Sequence, residues 1–289
     1  MKTPLIIAHR GARAHAPENT LAAARLAHAE GSHMWELDTG YTRDKHLIVI
    51  HDDSLARTTD VSTRPEFADR APWHIFDFTL EEIRSLDAGG WFCTADPFGM
   101  IEAGEVSPAM LDAYRGEKIP TLEEALLLTR DLCAKREWRV NVEIKDHAGR
   151  ADRTGHETIT ADVVKLVRSL GMEKTVLLSS FQHQYLLEAA ELLPEMARGV
   201  LIEHERPDDS LALCREKKGN FYHPDHKLLA EGEVAALAEA GIGVNPWTVN
   251  AVADMRHCIK QGTHGIITDF PARLRNLLAA RPPSAEAFY

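Results

Sequence analysis

Short apolar runs rich in β-branched residues alternate with amphipathic stretches along almost the whole chain, and about eight such pairs can be counted. Eight strand–helix units is the number that closes a parallel barrel, so the expected fold class is α/β with a (β/α)8 barrel. The strands are expected to end near His9, Asp38, Glu143, Ser180, Ile202, His223, Trp247 and Asp269. The helices fall between them, at Thr20 to Glu30, Thr121 to Ala134, Thr158 to Leu170, Gln182 to Leu193, Ser210 to Lys217, Leu229 to Ala240, Ala251 to Gln261 and Pro271 to Leu278. Their starts carry capping chemistry in Asn19-Thr20, in Thr121 with Glu124 three residues on, and in Asp269 ahead of Pro271. Gly31, Gly171, Gly241 and Gly262 supply stops.

One stretch breaks the rhythm. Residues 54–118, following the second unit's strand, hold Pro65, Pro72, Gly89-Gly90, Pro97, Gly99, Gly104 and Pro108, with one clear short helix near Thr79 to Ser85. The segment is too poor in apolar periodicity to be a domain with a large core of its own. The expected organisation is a single barrel domain over 1–289, with 54–118 as a small insertion capping the barrel mouth. The tail from Arg281, with Pro282-Pro283, is expected to be loosely held.

Lys and Arg number 33 against 44 for Asp and Glu, a net charge of -11, and no basic run is interleaved with aromatics. Nucleic acid is therefore not an expected partner. Cys93, Cys133, Cys214 and Cys258 form no CxxC pair, which fits reduced thiols. The N-terminal apolar stretch is too short for a signal-peptide core, and nothing approaches the length of a membrane span. A cytoplasmic protein without membrane insertion is the expectation, with oligomeric state open.

Polar residues collect at the C-terminal strand ends, the edge of a β/α sheet where side chains converge above a packed core. Leu5-Ile6-Ile7-Ala8 runs into His9-Arg10-Gly11, and Leu47-Ile48-Val49-Ile50, reached through a hairpin at Asp44-Lys45-His46, runs into His51-Asp52. Residues two apart in a strand share a face, so Glu36 and Asp38 present two carboxylates side by side, and Glu143 with Lys145 adds a third carboxylate and a cation. Adjacent like charges call for a neutralising partner, and oxygen donors suit Mg²⁺ or Ca²⁺. Imidazoles exchange protons near neutral pH, which makes His9 and His51 an acid/base pair for displacement at phosphorus. A cation held by Glu36, Asp38 and Glu143 would draw charge from the phosphoryl oxygens, helped by Arg10 and Lys145.

These residues belong to a longer ordered set: His9-Arg10-Gly11, Pro17-Glu18-Asn19-Thr20, Glu36-Leu37-Asp38, His51-Asp52 with Leu55 and Arg57-Thr58-Thr59, Ile119-Pro120-Thr121-Leu122-Glu123-Glu124, Asn141-Val142-Glu143-Ile144-Lys145, Ser179-Ser180-Phe181, Trp247-Thr248-Val249-Asn250 and Gly265-Ile266-Ile267-Thr268-Asp269-Phe270-Pro271. In this the chain resembles the glycerophosphodiester phosphodiesterases. The resemblance implies a TIM (β/α)8 barrel with a small insertion after the second strand. It also implies metal-dependent hydrolysis of small glycerophosphodiesters to sn-glycerol 3-phosphate and an alcohol, a step of glycerol and lipid metabolism. By resemblance His9 and His51 map onto the acid/base pair, Glu36, Asp38 and Glu143 onto the ligands of a divalent metal, and Arg10 and Lys145 onto phosphate contacts. Mg²⁺ is the first expectation, with Ca²⁺ or Mn²⁺ also compatible. In the mechanism usually proposed for the family, a glycerol hydroxyl attacks phosphorus and water opens the cyclic product. Gly262-Thr263-His264-Gly265 and the Asp44-Lys45-His46 turn depart from the usual pattern without touching these positions.

Phe181 and Trp247 close two strands near the mouth, where their faces suit the carbon atoms of a substrate, although core packing is the competing reading for Phe181. Glu18 lies within reach of the site, while Asn19 and Thr20 read as helix caps. His183, His204 and His223 read as surface or loop residues, and His15, His28, His33, His74, His147, His156 and His257 as solvated ones. Trp73, Phe76, Phe78, Trp91 and Phe92 suit either a small cluster or an entrance lining. A zinc amidohydrolase would need a His-x-His pair where this chain has His9 and Gly11. A barrel phospholipase would show a basic amphipathic helix in the insertion. A non-catalytic binding module would lack one of the histidines or ligands, and all are present.

Overall fold

The computed structural model describes residues 3–146 and 158–280, so His147, His156 and the tail from Arg281 lie outside the described residues. Nine strands follow in order: β1 (Leu5–Ala8), β2 (Met34–Tyr41), β3 (Leu47–Val49), β4 (Arg139–Ile144), β5 (Val176–Ser180), β6 (Ala197–Ile202), β7 (Phe221–Pro224), β8 (Gly243–Val244) and β9 (Gly265–Thr268). Eight of them pair in parallel in the order β8-β7-β6-β5-β4-β2-β1-β9, and β3 folds back antiparallel on β2. The ring closes between its ends: Ile267 N–H donates to Pro246 O at 3.0 Å and Val249 N–H to Ile267 O at 2.9 Å. The expected TIM barrel is thus the fold.

Alternation along the strands sorts the side chains. Trp35, Leu37, Val140, Val142, Ile144, Val176, Leu178, Val200, Tyr222 and Val244 turn outward into the main core. There they meet the helices α1 (Leu21–Ala29), α5 (Leu122–Cys133), α6 (Ile159–Ser169), α7 (Gln184–Leu192), α8 (Ser210–Glu216) and α9 (Glu233–Glu239), while α10 (Val252–Gln261) and α11 (Pro271–Ala279) cover β1 and β9 with a second cluster. The alternate positions Glu36, Asp38, Asn141, Glu143, Ser179, His223 and Asn245 turn into the barrel. Pairing sets Asp38 opposite Glu143 and Glu36 opposite Asn141, which brings the carboxylates of two strands together. Helix ends follow local chemistry: Thr20 accepts from Ala23 N–H, and Thr121 forms a capping box with Glu124.

Some expectations need correction. Helix α9 starts four residues later than expected, because Gly232 sits at φ 79° and Glu233 reaches back to Ala230 N–H at 2.9 Å. At α11 the residue before Pro271 is Phe270 without a side-chain cap, so Asp269 is not the cap. Residues 54–118 contain three short helices rather than one, α2 (Leu80–Ser85), α3 (Gly90–Ala95) and α4 (Pro108–Tyr114), besides three 3-10 turns. Six- and seven-residue helices complete too few turns to show periodicity, and their signals are caps, at Thr79 with Glu82 and at Ser107. The aromatics there join two clusters, Phe67 and Phe78 with Ile75 against Ile48 and Leu55, and Phe92 and Tyr114 against Ala16 and Ala23 of the α1 region. Among the described residues no helix is long and apolar enough to cross a membrane.

Candidate active site

A cavity of about 410 Å³ opens at the C-terminal end of the barrel, lined among others by His9, Arg10, Glu36, His51, Glu143, Lys145, Phe181 and Trp247. All nine sequence-predicted site residues meet here, Asp38 joining through its contacts with Arg10 and Lys145. One oxygen from each of Glu36, Asp38 and Glu143 lies within 4.8 Å of the others, and all three residues are buried. Lys145 Nζ donates to Glu143 Oε1 at 2.8 Å and lies 3.7 Å from Asp38 Oδ1. Arg10 holds a left-handed backbone, φ 53°. This aims its N–H at Glu36 Oε2, 2.9 Å away, while its Nε lies 3.2 Å from Asp38 Oδ2.

The three acids respond differently to the same site. Burial, with the charges of Asp38 and Glu143 beside it, holds the Glu36 carboxyl well above its ordinary pKa. Burial also raises Glu143, beyond what Lys145 offsets. For Asp38 burial acts in the same sense, but Arg10, Lys145, His51 and the Asn19 amide outweigh it and hold the carboxyl below the usual range. Glu36 Oε1 is buried and, among the described residues, receives no hydrogen bond. Three carboxylates facing two cations, with one oxygen unclaimed, fit a hard divalent ion with oxygen donors.

Each histidine leans on an aspartate. His9 Nδ1 is 2.7 Å from Asp269 Oδ1, and His51 Nδ1 is 2.6 Å from Asp52 Oδ1. A carboxylate only accepts, so Nδ1 carries the hydrogen in both neutral rings and Nε2 carries the lone pair that can take up a proton. Burial and the Arg10 charge lower the His9 pKa, against the pull of Asp269, which favours the neutral ring a general base needs. Asp269 in turn accepts from Asn250 Nδ2 at 2.7 Å and lies 3.5 Å from Arg13 Nη1. Asp52 accepts from Arg57 Nε at 2.6 Å.

Phe181 and Trp247 meet edge to face at 5.5 Å, and Lys145 Nζ lies 5.7 Å from the Phe181 ring centroid. Phe181 is 37% exposed and lies on the cavity wall, not in the core.

Sequence reasoning missed several members of the site. Asp269 read as a helix cap, yet it ends an inward-facing strand as His9 does, and that position was the available signal. Asn19 read as a cap, but its amide binds Asp38 at 2.8 Å. Glu18, which read as within reach of the site, is buried among Arg10, Arg13 and Arg57. His15 and His223 did not read as buried, and both are. His15 sits 3.1 Å from Glu30 and 3.3 Å from Glu105 of the insertion, while His223 is fully enclosed in the barrel against Asn245. His183 Nε2 contacts Leu201 O at 3.0 Å, and His204 stays on the surface at 86% exposure.

Residues 9–273 match the model of the Glycerophosphoryl diester phosphodiesterase family. A glycerophosphodiester phosphodiesterase of Caldanaerobacter subterraneus is 35% identical over 278 residues, covering 96% of this chain and 98% of that protein. Among solved structures, a phosphodiesterase of Oleispira antarctica in complex with the product sn-glycerol-3-phosphate is similar at 26% identity and a TM-score of 0.74, over 96% of this chain and 97% of the other. A glycerophosphodiester phosphodiesterase of Agrobacterium tumefaciens is similar at 26% identity and a TM-score of 0.70, over 96% and 100%.

Proposed function

The chain belongs to the glycerophosphoryl diester phosphodiesterase family, and from that premise we propose that it hydrolyses glycerophosphodiesters to sn-glycerol 3-phosphate and an alcohol. The observation that carries the reading is one cavity lined by two carboxylate-backed imidazoles and a buried acidic triad. Glu36, Asp38 and Glu143 would hold the divalent ion, Mg²⁺ in the first instance and Ca²⁺ or Mn²⁺ as alternatives. An ion bound there would supply Lewis-acid charge to the phosphoryl oxygens.

The chain's own residues do the rest. Arg10 and Lys145 bring positive charge to the phosphate side of the cavity. One of the two imidazoles takes the proton of the hydroxyl that enters at phosphorus, and the other gives a proton to the oxygen that leaves. One P–O bond forms and one breaks, and over the whole cycle one water is consumed. Phe181 and Trp247 offer apolar faces to the carbon atoms of the substrate. The bound product in the Oleispira antarctica relative supports the glycerol 3-phosphate half of this assignment.

The test is release of glycerol 3-phosphate from glycerophosphocholine by the purified protein, with Mg²⁺ and again with excess chelator. Release that stops with chelation is expected. Release unaffected by exhaustive chelation would remove the metal, and no release with any divalent ion from a panel of head groups would remove the reaction.

A further inference from the structure

Glu18 is about as buried as a carboxylate can be, its side chain 2% exposed, and it receives three guanidinium groups. Arg10 Nη1 donates to its Oε1 at 2.9 Å and Arg13 Nε to its Oε2 at 2.9 Å. Arg57, arriving from the insertion, straddles it with Nη2 at 2.7 Å from Oε1 and Nη1 at 3.0 Å from Oε2. Each arginine has a second partner. Arg57 grips Asp52, which backs His51, at 2.6 and 3.0 Å. Arg13 reaches Asp269, which backs His9, at 3.5 Å. Arg10 reaches Asp38 at 3.2 Å and faces the phosphate side of the cavity. One carboxylate therefore joins both imidazole–aspartate pairs and the phosphate contact.

We infer that Glu18 is a positioning residue that holds both proton-exchanging histidines and Arg10 in a single working arrangement. The inference rests on the reading of His9 and His51 given above. The physical reason is competition for guanidinium charge. Glu18 engages Arg13 and Arg57 with short bonds, so neither is fully spent on the aspartate it also contacts. Asp269 and Asp52 then remain strong acceptors for the imidazole Nδ1–H groups, at 2.7 and 2.6 Å. Without the Glu18 charge the two guanidiniums would fall wholly on Asp269 and Asp52, weakening the bonds that orient both rings. The charge is secure: burial would raise the Glu18 pKa, but the Arg57 hydrogen bonds and the charges of Arg10 and Arg13 hold it well below its ordinary value.

Steady-state kinetics on two substrates read the role directly. Glycerophosphocholine has an alcohol that must be protonated to leave, whereas the p-nitrophenyl ester of glycerol 3-phosphate releases a phenolate that needs no acid. In Glu18→Gln, kcat is expected to fall about 100-fold on both substrates, with partial recovery in Glu18→Asp, which keeps the charge on a shorter stem. A kcat within twofold of the parent on both substrates, with only a lower Tm, would make Glu18 a brace of the fold and overturn the inference. A loss confined to glycerophosphocholine would tie it to one histidine alone and overturn the coupling.

If Glu18→Gln does not fold, Arg57→Gln and Arg13→Gln cut the two arms separately. The aryl ester should relieve the loss in one of them and not in the other, and an identical response in both would overturn the inference. His9→Ala and His51→Ala, measured alongside, keep the two failures apart, since full turnover in either sinks the acid/base reading itself, whatever Glu18 does.

Discussion

Glu143 stands between a cation it already binds and one it is proposed to bind. Lys145 occupies its Oε1 at 2.8 Å, while burial raises its pKa and leaves it prone to take a proton when no second cation is near. Removing it takes a third of the donor set and leaves Lys145 short of a partner. Glu143→Ala is therefore expected to abolish metal binding and turnover together, read by titration calorimetry and by glycerol 3-phosphate release, and undiminished activity would end its assignment as a ligand. His51→Ala should behave differently. His51 hangs on Asp52, outside the triad, so metal affinity should stay within about threefold while turnover falls by the roughly 10²- to 10⁴-fold that a positioned acid or base contributes. The same contrast explains what could be read in advance. Glu36, Asp38, Glu143 and Lys145 declare themselves through two-residue spacing in a strand. Asp269 lies 260 residues from His9, and Glu18 lies 39 from Arg57. No local pattern ties such partners together, and only the closed ring brings them into contact.

The turn after β1 and the start of α5 both depend on one residue's local chemistry, but they bear on the site unequally. Gly11 takes φ 84°, and a Cβ there would sit 2.6 Å from Ala23 Cβ and 2.7 Å from the Ala23 carbonyl carbon. An alanine would pry the turn from α1 and move Arg10, whose N–H lies on Glu36. Gly11→Ala should cost at least about 1 kcal/mol of stability and also raise KM. Thr121→Ala removes the α5 capping box at a similar cost of about 1 kcal/mol, with KM and kcat unchanged because no residue of that cap lines the cavity. Urea unfolding paired with Michaelis kinetics separates the two, and parallel behaviour would mean that Gly11 merely stabilises. Elements of nine residues or more were legible in the sequence, since two turns suffice to show a face. Within the insertion α2 was legible through its Thr79 cap, but α3 and α4 were not, and the late start of α9 turned on a glycine conformation that composition alone does not fix.

The closed barrel places one more constraint on the whole molecule, and counting eight strand–helix units could not reveal it. Its interior is part polar, and His223 is the extreme case, fully enclosed, with Gly199 opposite leaving room for the ring: a Cβ there would lie 2.6 Å from it. Asn245 Nδ2 lies 3.0 Å from His223 Nε2, which suits a neutral ring accepting a hydrogen bond. Burial, with a smaller contribution from His264, drives the pKa down to about 3, whereas the unfolded chain keeps an ordinary value of about 6.5. The unfolded state thus binds the extra proton first, so this group's contribution is intact above about pH 6.5 and is lost progressively as the pH falls towards 3. Between pH 7 and pH 5 the difference amounts to about 2 kcal/mol. Denaturant unfolding of the parent and of His223→Gln at both pH values, with chelator present throughout so that metal binding does not enter, isolates it. The variant should lose about 2 kcal/mol less than the parent on acidification, because glutamine takes up no proton in either state. Equal losses would mean that the ring is already protonated in the folded barrel, or reached by water that the closed structure excludes.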